Sequence, residues 1–177
     1  SSPNKDGLTA QCAQSAARGI QAAGADNSAV CLNDHDVGLC AACDRGWGTC
    51  RDKHECQVRD GFQDLHARTS NADACVVVSP VYFGQLSESA RAFFERLRRC
   101  EATRGQDSPM AGKPVIGVAA AGGSGGGIIS CLDEMNRLFK HLRCSIFDLV
   151  PVTRKSRAYK MDTIRQASRQ MMANQLK

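Results

Sequence analysis

The chain has 177 residues, 42% of them hydrophobic, and a formal charge of +5 from 23 Lys and Arg against 18 Asp and Glu; it is more naturally one domain, spanning 1–177, than two. Two Tyr and one Trp give no basic stripe interleaved with aromatics for nucleic acid, and no apolar run approaches the roughly 18 residues that span a bilayer, so neither partner is expected. Ten cysteines without a visible signal peptide fall short of a secreted disulfide scaffold and point to reduced chemistry in the cytoplasm.

The opening stretch SSPNKDGLTA offers Ser1, Ser2, Asn4 and Thr9 as hydrogen-bond donors, Lys5 as a cation and Gly7 as a permissive backbone position. It lies just ahead of a helix carrying Cys12 and Ala16. A helix N-terminus furnished in this way holds a phosphate, although Ser-Pro-Asn before a helix also reads simply as cap and turn. No strand stands ahead of it. The first strand of a doubly wound sheet is usually central, so a short apolar strand preceding Ser1 in the natural protein is expected.

SAVCL at 28–32 reads as a buried strand, and 34–60 is the one long insert, with the length of a ligand-bearing loop. Within it, Cys40, Cys43, Cys50 and Cys56 are spaced C-x2-C-x6-C-x5-C among Arg45, Arg51, Lys53, His54 and the lone Trp47. Four thiolates suit either zinc or a [4Fe-4S] cluster, since both take soft sulfur ligands in a tetrahedral arrangement, and the spacing leaves zinc, cluster, or a site empty or oxidised to disulfides open. The four basic residues would offset thiolate charge, although a solvated basic loop explains them equally, and Trp47 between Gly46 and Gly48 would shield the site. Asp60 reads as a helix cap. Cys12, Cys31, Cys75, Cys100, Cys131 and Cys144 sit among apolar neighbours and read as small core hydrophobes.

ACVVVSP at 74–80 is the next strand, followed by SPVYFGQLSE. There Pro80 fixes the backbone, Tyr82 and Phe83 supply flat apolar surface for a planar ring, Gly84 permits close approach, and Ser87 caps a helix. That helix carries Phe93, Phe94 and Leu97 beside Arg91, Arg96, Arg98 and Arg99, more apolar bulk than one buried stripe requires, which predicts a homodimer or homotetramer. RCEATRGQDSPMAGK at 99–113 reads as a polar surface loop. PVIGVAAAG at 114–122 is a strand running into AAAGGSGGG at 119–127, which lacks the Lys of a GxxxxGK[ST] loop and offers only close backbone contact. Ile128, Leu132, Met135, Phe139 and Leu142 recur at helical spacing, SIFDLVPV at 145–152 is a strand, and Met161, Ile164, Ala167 and Met171 mark a last helix. Such alternation predicts an α/β fold, a doubly wound parallel sheet in three layers with a cysteine-rich insert, and ligands at the carboxyl ends of its strands.

The order SSPNKDGLTA, CAAC, SPVYFGQLSESARAFFERL, GKPVIGVAAAGGSGGG resembles the NADPH-dependent FMN reductase and iron-sulfur flavoprotein family, of flavodoxin-like fold, over roughly residues 1 to 145. The resemblance implies FMN, its phosphate held at Ser2, Asn4, Lys5, Gly7 and Thr9. It implies an isoalloxazine held at Pro80, Val81, Tyr82, Phe83 and Gly84, with backbone at Ala121, Gly122 and Gly123 closing the third side. The sequence departs from the family at Asn4, often Arg or Lys, at Leu8, often Asn or Ser, and in the cysteine spacing, which DRGWGT lengthens. Beside a flavin a cluster is favoured over zinc, because it splits a hydride's two electrons into single steps.

His35, His54, His66 and His141 do not converge in sequence, and no hydrolase ordering is present. No catalytic side chain is needed where the cofactor carries the hydride. The expected function is an FMN-dependent oxidoreductase passing electrons from NAD(P)H or ferredoxin through FMN and a [4Fe-4S] cluster to an acceptor. A non-enzymatic electron-transfer subunit, or a flavin reductase whose cysteine loop binds zinc or nothing, is the alternative.

Overall fold

A computed structural model describes residues 1–175. Helix α1 (Leu8–Ala22) is followed by an irregular stretch holding the short α2 (Thr49–Asp52), then α3 (Phe62–Asn71), β1 (Cys75–Pro80), α4 (Glu88–Glu101), β2 (Pro114–Ala121), α5 (Ile128–His141), β3 (Ser145–Thr153) and α6 (Arg157–Gln175). The strands form one sheet in the order β1-β2-β3 with both pairings parallel. Helices α4 and α5 make the crossovers that parallel neighbours require.

Alternation along β2 sorts the core into two halves. Ile116, Val118 and Ala120 face Cys12 and Ala16 of α1 and Ile164, Met171 and Met172 of α6. Val115 and Ala119 face Phe62 and Leu65 of α3, Phe93 and Leu97 of α4, and Met135 and Phe139 of α5. The result is the expected three-layer α/β fold with a flavodoxin-like parallel sheet.

Two expectations fail, and a third loses the argument made for it. The segment 28–32 runs extended at Cys31 but belongs to no strand: Val30 and Leu32 pack against the core, and apolar anchoring alone supplies no ladder of hydrogen bonds. The stretch 99–113 is not a surface loop. Helix α4 continues to Glu101, a tight helical turn follows over Ala102–Asp107, and Glu101, Ser108 and Lys113 are buried. Lys113 Nζ donates to the carbonyls of Thr69 at 2.6 Å and Ser70 at 2.9 Å, satisfying the last turn of α3. Phe93, Phe94 and Leu97 are all buried within the single chain, which removes the apolar surplus used to argue for an oligomer.

Candidate functional site

Two loops leave the sheet at its carboxyl edge, and the opening loop ahead of α1 is tied to the same edge. In the opening loop, the amino group of Ser1 donates to Val78 O at 3.0 Å, and Asn4 Oδ1 accepts from Asp6 N at 3.2 Å. Gly7 precedes α1 in extended conformation, and no side chain caps that helix, so its first-turn amides lack a side-chain acceptor among the described residues. Thr9 is buried, whereas Lys5 lies exposed in an ion pair with Asp34 at 3.3 Å.

The second loop is tied down at both ends. Val81 N donates to Ala120 O at 3.1 Å, Tyr82 and Gln85 exchange backbone hydrogen bonds, and Ser87 Oγ both donates to Ser1 Oγ at 2.8 Å and caps α4. Between these anchors the backbone is left-handed at Phe83 (φ 50) and Gly84 (φ 78). Pro80 is buried, but Phe83 is wholly exposed and Tyr82 is 36% exposed.

The third loop approaches through glycine. A Cβ at Gly127, itself at φ +75, would lie 2.6 Å from Gly84 Cα, a contact no side chain tolerates. Ala121 is buried, whereas Gly122 and Gly123 face open space in which an added Cβ meets nothing within 4 Å. Ser2, Asn4, Gly7, Val81, Tyr82, Phe83, Gly84, Gly122 and Gly123 thus lie on three loops at one edge of the sheet.

The cysteine insert forms a second feature. Cys40, Cys43, Cys50 and Cys56 line one cavity together with Arg96 and Arg99 of α4. All ten cysteines are free thiols, and among the described residues no group of three or more His, Cys, Asp or Glu is arranged to hold a single metal ion. The thiols stand around a hollow. The backbone of the insert is left-handed at Ala42, Asp44, Arg45 and His54, conformations that non-glycine residues adopt only where surroundings impose them.

Arg96 is the part of this site that sequence reasoning missed. It is 1% exposed, its Cζ 4.4 Å from the centroid of the Phe62 ring. Nη1 donates to Asp60 Oδ2 at 2.6 Å and Gly38 O at 3.1 Å, and Nη2 donates to Val58 O at 2.9 Å. Burial works against its charge, but Asp60 and then Cys56 hold its pKa above the usual arginine value. Cys56 stands near enough to support that charge, and the buried Nε has no hydrogen-bond partner. The available signal was position: Phe93, Arg96, Leu97 and Cys100 share the 3, 4, 7 spacing of one buried stripe.

Arg99 is the second missed cation. It donates to Gly46 O and lies 5.3 Å from the Trp47 centroid, holding the insert against α4. Burial opposes its charge as well, and Glu95, Cys40 and Cys50 sustain it. The four basic residues of the insert play lesser parts: Arg45, Arg51 and Lys53 are exposed, and His54 Nδ1 lies 3.2 Å from Cys100 O. Asp60 is the expected cap, accepting from Phe62 N at 2.9 Å, and it also orients Arg96.

Five of the six dispersed cysteines pack in or against the core, while Cys31 lies half-buried outside it and donates to Ser2 O at 3.5 Å. Burial pushes the thiols of Cys12, Cys100 and Cys144 up to about 12 and Cys131 to about 11, so all four stay protonated at neutral pH.

Comparison with known proteins bears on the fold and the family. An iron-sulfur flavoprotein of Archaeoglobus fulgidus is 27% identical over 96 residues, covering 54% of this chain and 42% of the relative, so the chain spans less than half of that protein's length. Among solved structures, an NAD(P)H:quinone oxidoreductase from Methanothermobacter marburgensis superposes with a TM-score of 0.68 at 16% identity over 96% of this chain and 92% of its own. A flavodoxin, WrbA-like protein from Agrobacterium tumefaciens gives 0.57 at 15% identity over 96% and 91%. The family model for NADPH-dependent FMN reductase matches residues 1–153, and with the three braced loops at the sheet edge this chain belongs to the NADPH-dependent FMN reductase family.

Proposed function

We propose that the chain is an FMN-dependent oxidoreductase that takes electrons from NAD(P)H or a ferredoxin and releases them singly through a [4Fe-4S] cluster to an acceptor. The observation that carries this reading is that the four cysteines of the insert line one cavity with two arginines. Thiols set around a hollow, backed by cations, suit a multi-iron core with net negative charge.

The flavin half of the reading rests on the carboxyl edge of the sheet. The uncapped first turn of α1, with Ser2, Asn4, Lys5, Gly7 and Thr9, would hold the FMN phosphate, since free amides at a helix start favour an anion. Pro80, Val81, Tyr82, Phe83 and Gly84 would hold the ring, and the backbone of Ala121, Gly122 and Gly123, open at both glycines, would admit its edge. Bound FMN supplies hydride acceptance, and a bound cluster supplies one-electron exchange. The chain's own work is placement: the Gly84–Gly127 contact fixes the ring-side loop, and Ser87, bonded to Ser1, ties the phosphate side to α4. The fully exposed Phe83 is an apolar cover for a planar ligand. The iron-sulfur flavoprotein relative supports the same pairing of groups.

Anaerobically purified protein is expected to contain FMN with about four iron and four sulfide per chain, and Cys43→Ser to lose the iron while keeping the flavin. Zinc in place of iron, or unchanged iron in Cys43→Ser, would overturn the cluster assignment. Riboflavin or FAD in place of FMN would overturn the phosphate site.

A further inference from the structure

We propose that Arg96 donates its Nε–H to sulfur at the Cys56 corner of the cluster and, with Arg99, raises the cluster's reduction potential by holding positive charge against the reduced form. This deepens the function proposed above and rests on its cluster reading.

The geometry singles out one atom. The Arg96 side chain is 1% exposed, and its two terminal nitrogens are committed to Asp60 Oδ2, Gly38 O and Val58 O. With a face against Phe62, the plane of the guanidinium is fixed. Nε is left as a buried donor with no acceptor, on a residue lining the cavity shared by the four thiols. A buried N–H without a partner costs about 1–3 kcal/mol, so an acceptor that a ligand brings into this cavity would recover that cost. Sulfur bound to iron carries negative charge and accepts such a bond. Lysine could not substitute, because a single ammonium cannot reproduce three fixed donors and a coplanar fourth on Nε.

Arg99 adds charge from the next turn, three residues on. It is anchored by Gly46 O and Glu95 and lines the same cavity. Reduction of the cluster is a one-electron step in which no bond is made or broken; the added negative charge is stabilised by N–H···S bonds and nearby cations. Removing either arginine therefore favours the oxidised form.

The test uses the anaerobically isolated full chain, titrated with dithionite as the electron donor and followed by electron paramagnetic resonance. Arg99→Gln and Arg96→Lys are expected to retain iron and FMN while the reduced-to-oxidised ratio, at the potential that half-reduces the wild type, falls about tenfold, a shift of 59 mV for one electron. A second measurement needs no variant: reduced wild type grown with 15N-arginine should show hyperfine coupling between the cluster and an arginine nitrogen, retained in Arg99→Gln. If Arg96→Lys does not fold, that coupling decides the role of Nε. Iron-loaded variants with unchanged ratio, or a wild type without the coupling, overturn the inference and leave the cluster standing; a wild type without iron overturns the cluster reading itself.

Discussion

Glu101 holds its carboxylate where no water reaches it: His66 Nε2 lies 2.6 Å from one oxygen, and Ser108 Oγ donates to the other at 2.7 Å. Burial alone would raise its pKa, yet those two partners, with the charge of Arg104, hold it below the usual carboxylate value. A carboxylate favoured in the folded state contributes stability above its unfolded pKa of about 4.3, and that contribution is lost as pH falls through the lower folded value. Glu101→Gln should cost about 1.5–3 kcal/mol at pH 7, the range for hydrogen bonds to charged groups, and visibly less near pH 3, where the wild type loses the same contribution. Urea midpoints at the two pH values check this; an equal gap at both would contradict it. Asp60, also held low despite burial by its bonds to Arg96, Phe62 and Gly38, keeps an acid-sensitive slope in the variant. Asp60 is legible in the sequence as a cap but not as the partner of Arg96, and Glu101 sits in a polar stretch where only its partners, 35 and 7 residues away, make burial tolerable.

At the level of elements, the close pairing of α1 and α6 depends on Gly19. A Cβ there would lie 2.2 Å from Arg165 O and 3.1 Å from Arg169 N, so the helices meet nearly backbone to backbone. Two effects oppose each other in Gly19→Ala: helix propensity gains about 1 kcal/mol, whereas overpacking against rigid backbone costs typically 1–3 kcal/mol and occasionally more. A contact of 2.2 Å lies at the severe end, so overpacking wins and the variant should be destabilised by about 1–2 kcal/mol in urea titration. The periodic helices and three of the four expected strands were legible, because 3.6-residue and continuous apolar patterns are local. The segment 28–32 was not, because being a strand depends on a neighbour that local composition does not report.

Across the whole molecule, Tyr82 and Tyr159 make a matched pair for testing where the flavin sits. Tyr82 belongs to the braced loop at the sheet edge, while Tyr159 lies on α6, 63% exposed with Lys160 Nζ 5.7 Å from its ring centroid. Tyr82→Ala is expected to weaken FMN retention by about tenfold, within the 0.5–1.5 kcal/mol worth of an aromatic contact, and Tyr159→Ala to leave it unchanged; equal retention in equilibrium dialysis would place the ring elsewhere. The cysteines and the three loops were legible as motifs, whereas the cavity's cationic wall came from a helix more than forty residues away along the chain from the middle of the insert and could emerge only from packing. Among the described residues no helix is long and apolar enough to cross a membrane.

Helix α4 starts at Ser87, inside the loop cluster, and carries Arg96 into the cavity wall. Nine residues at 1.5 Å each put about 14 Å of rigid rod between those points. A rod of this kind cannot be lengthened by a little: one extra residue turns everything beyond it through about 100°, swinging Arg96 and Arg99 out of the wall together. The spacing between the loop cluster and the thiol cavity therefore changes only in whole helical turns.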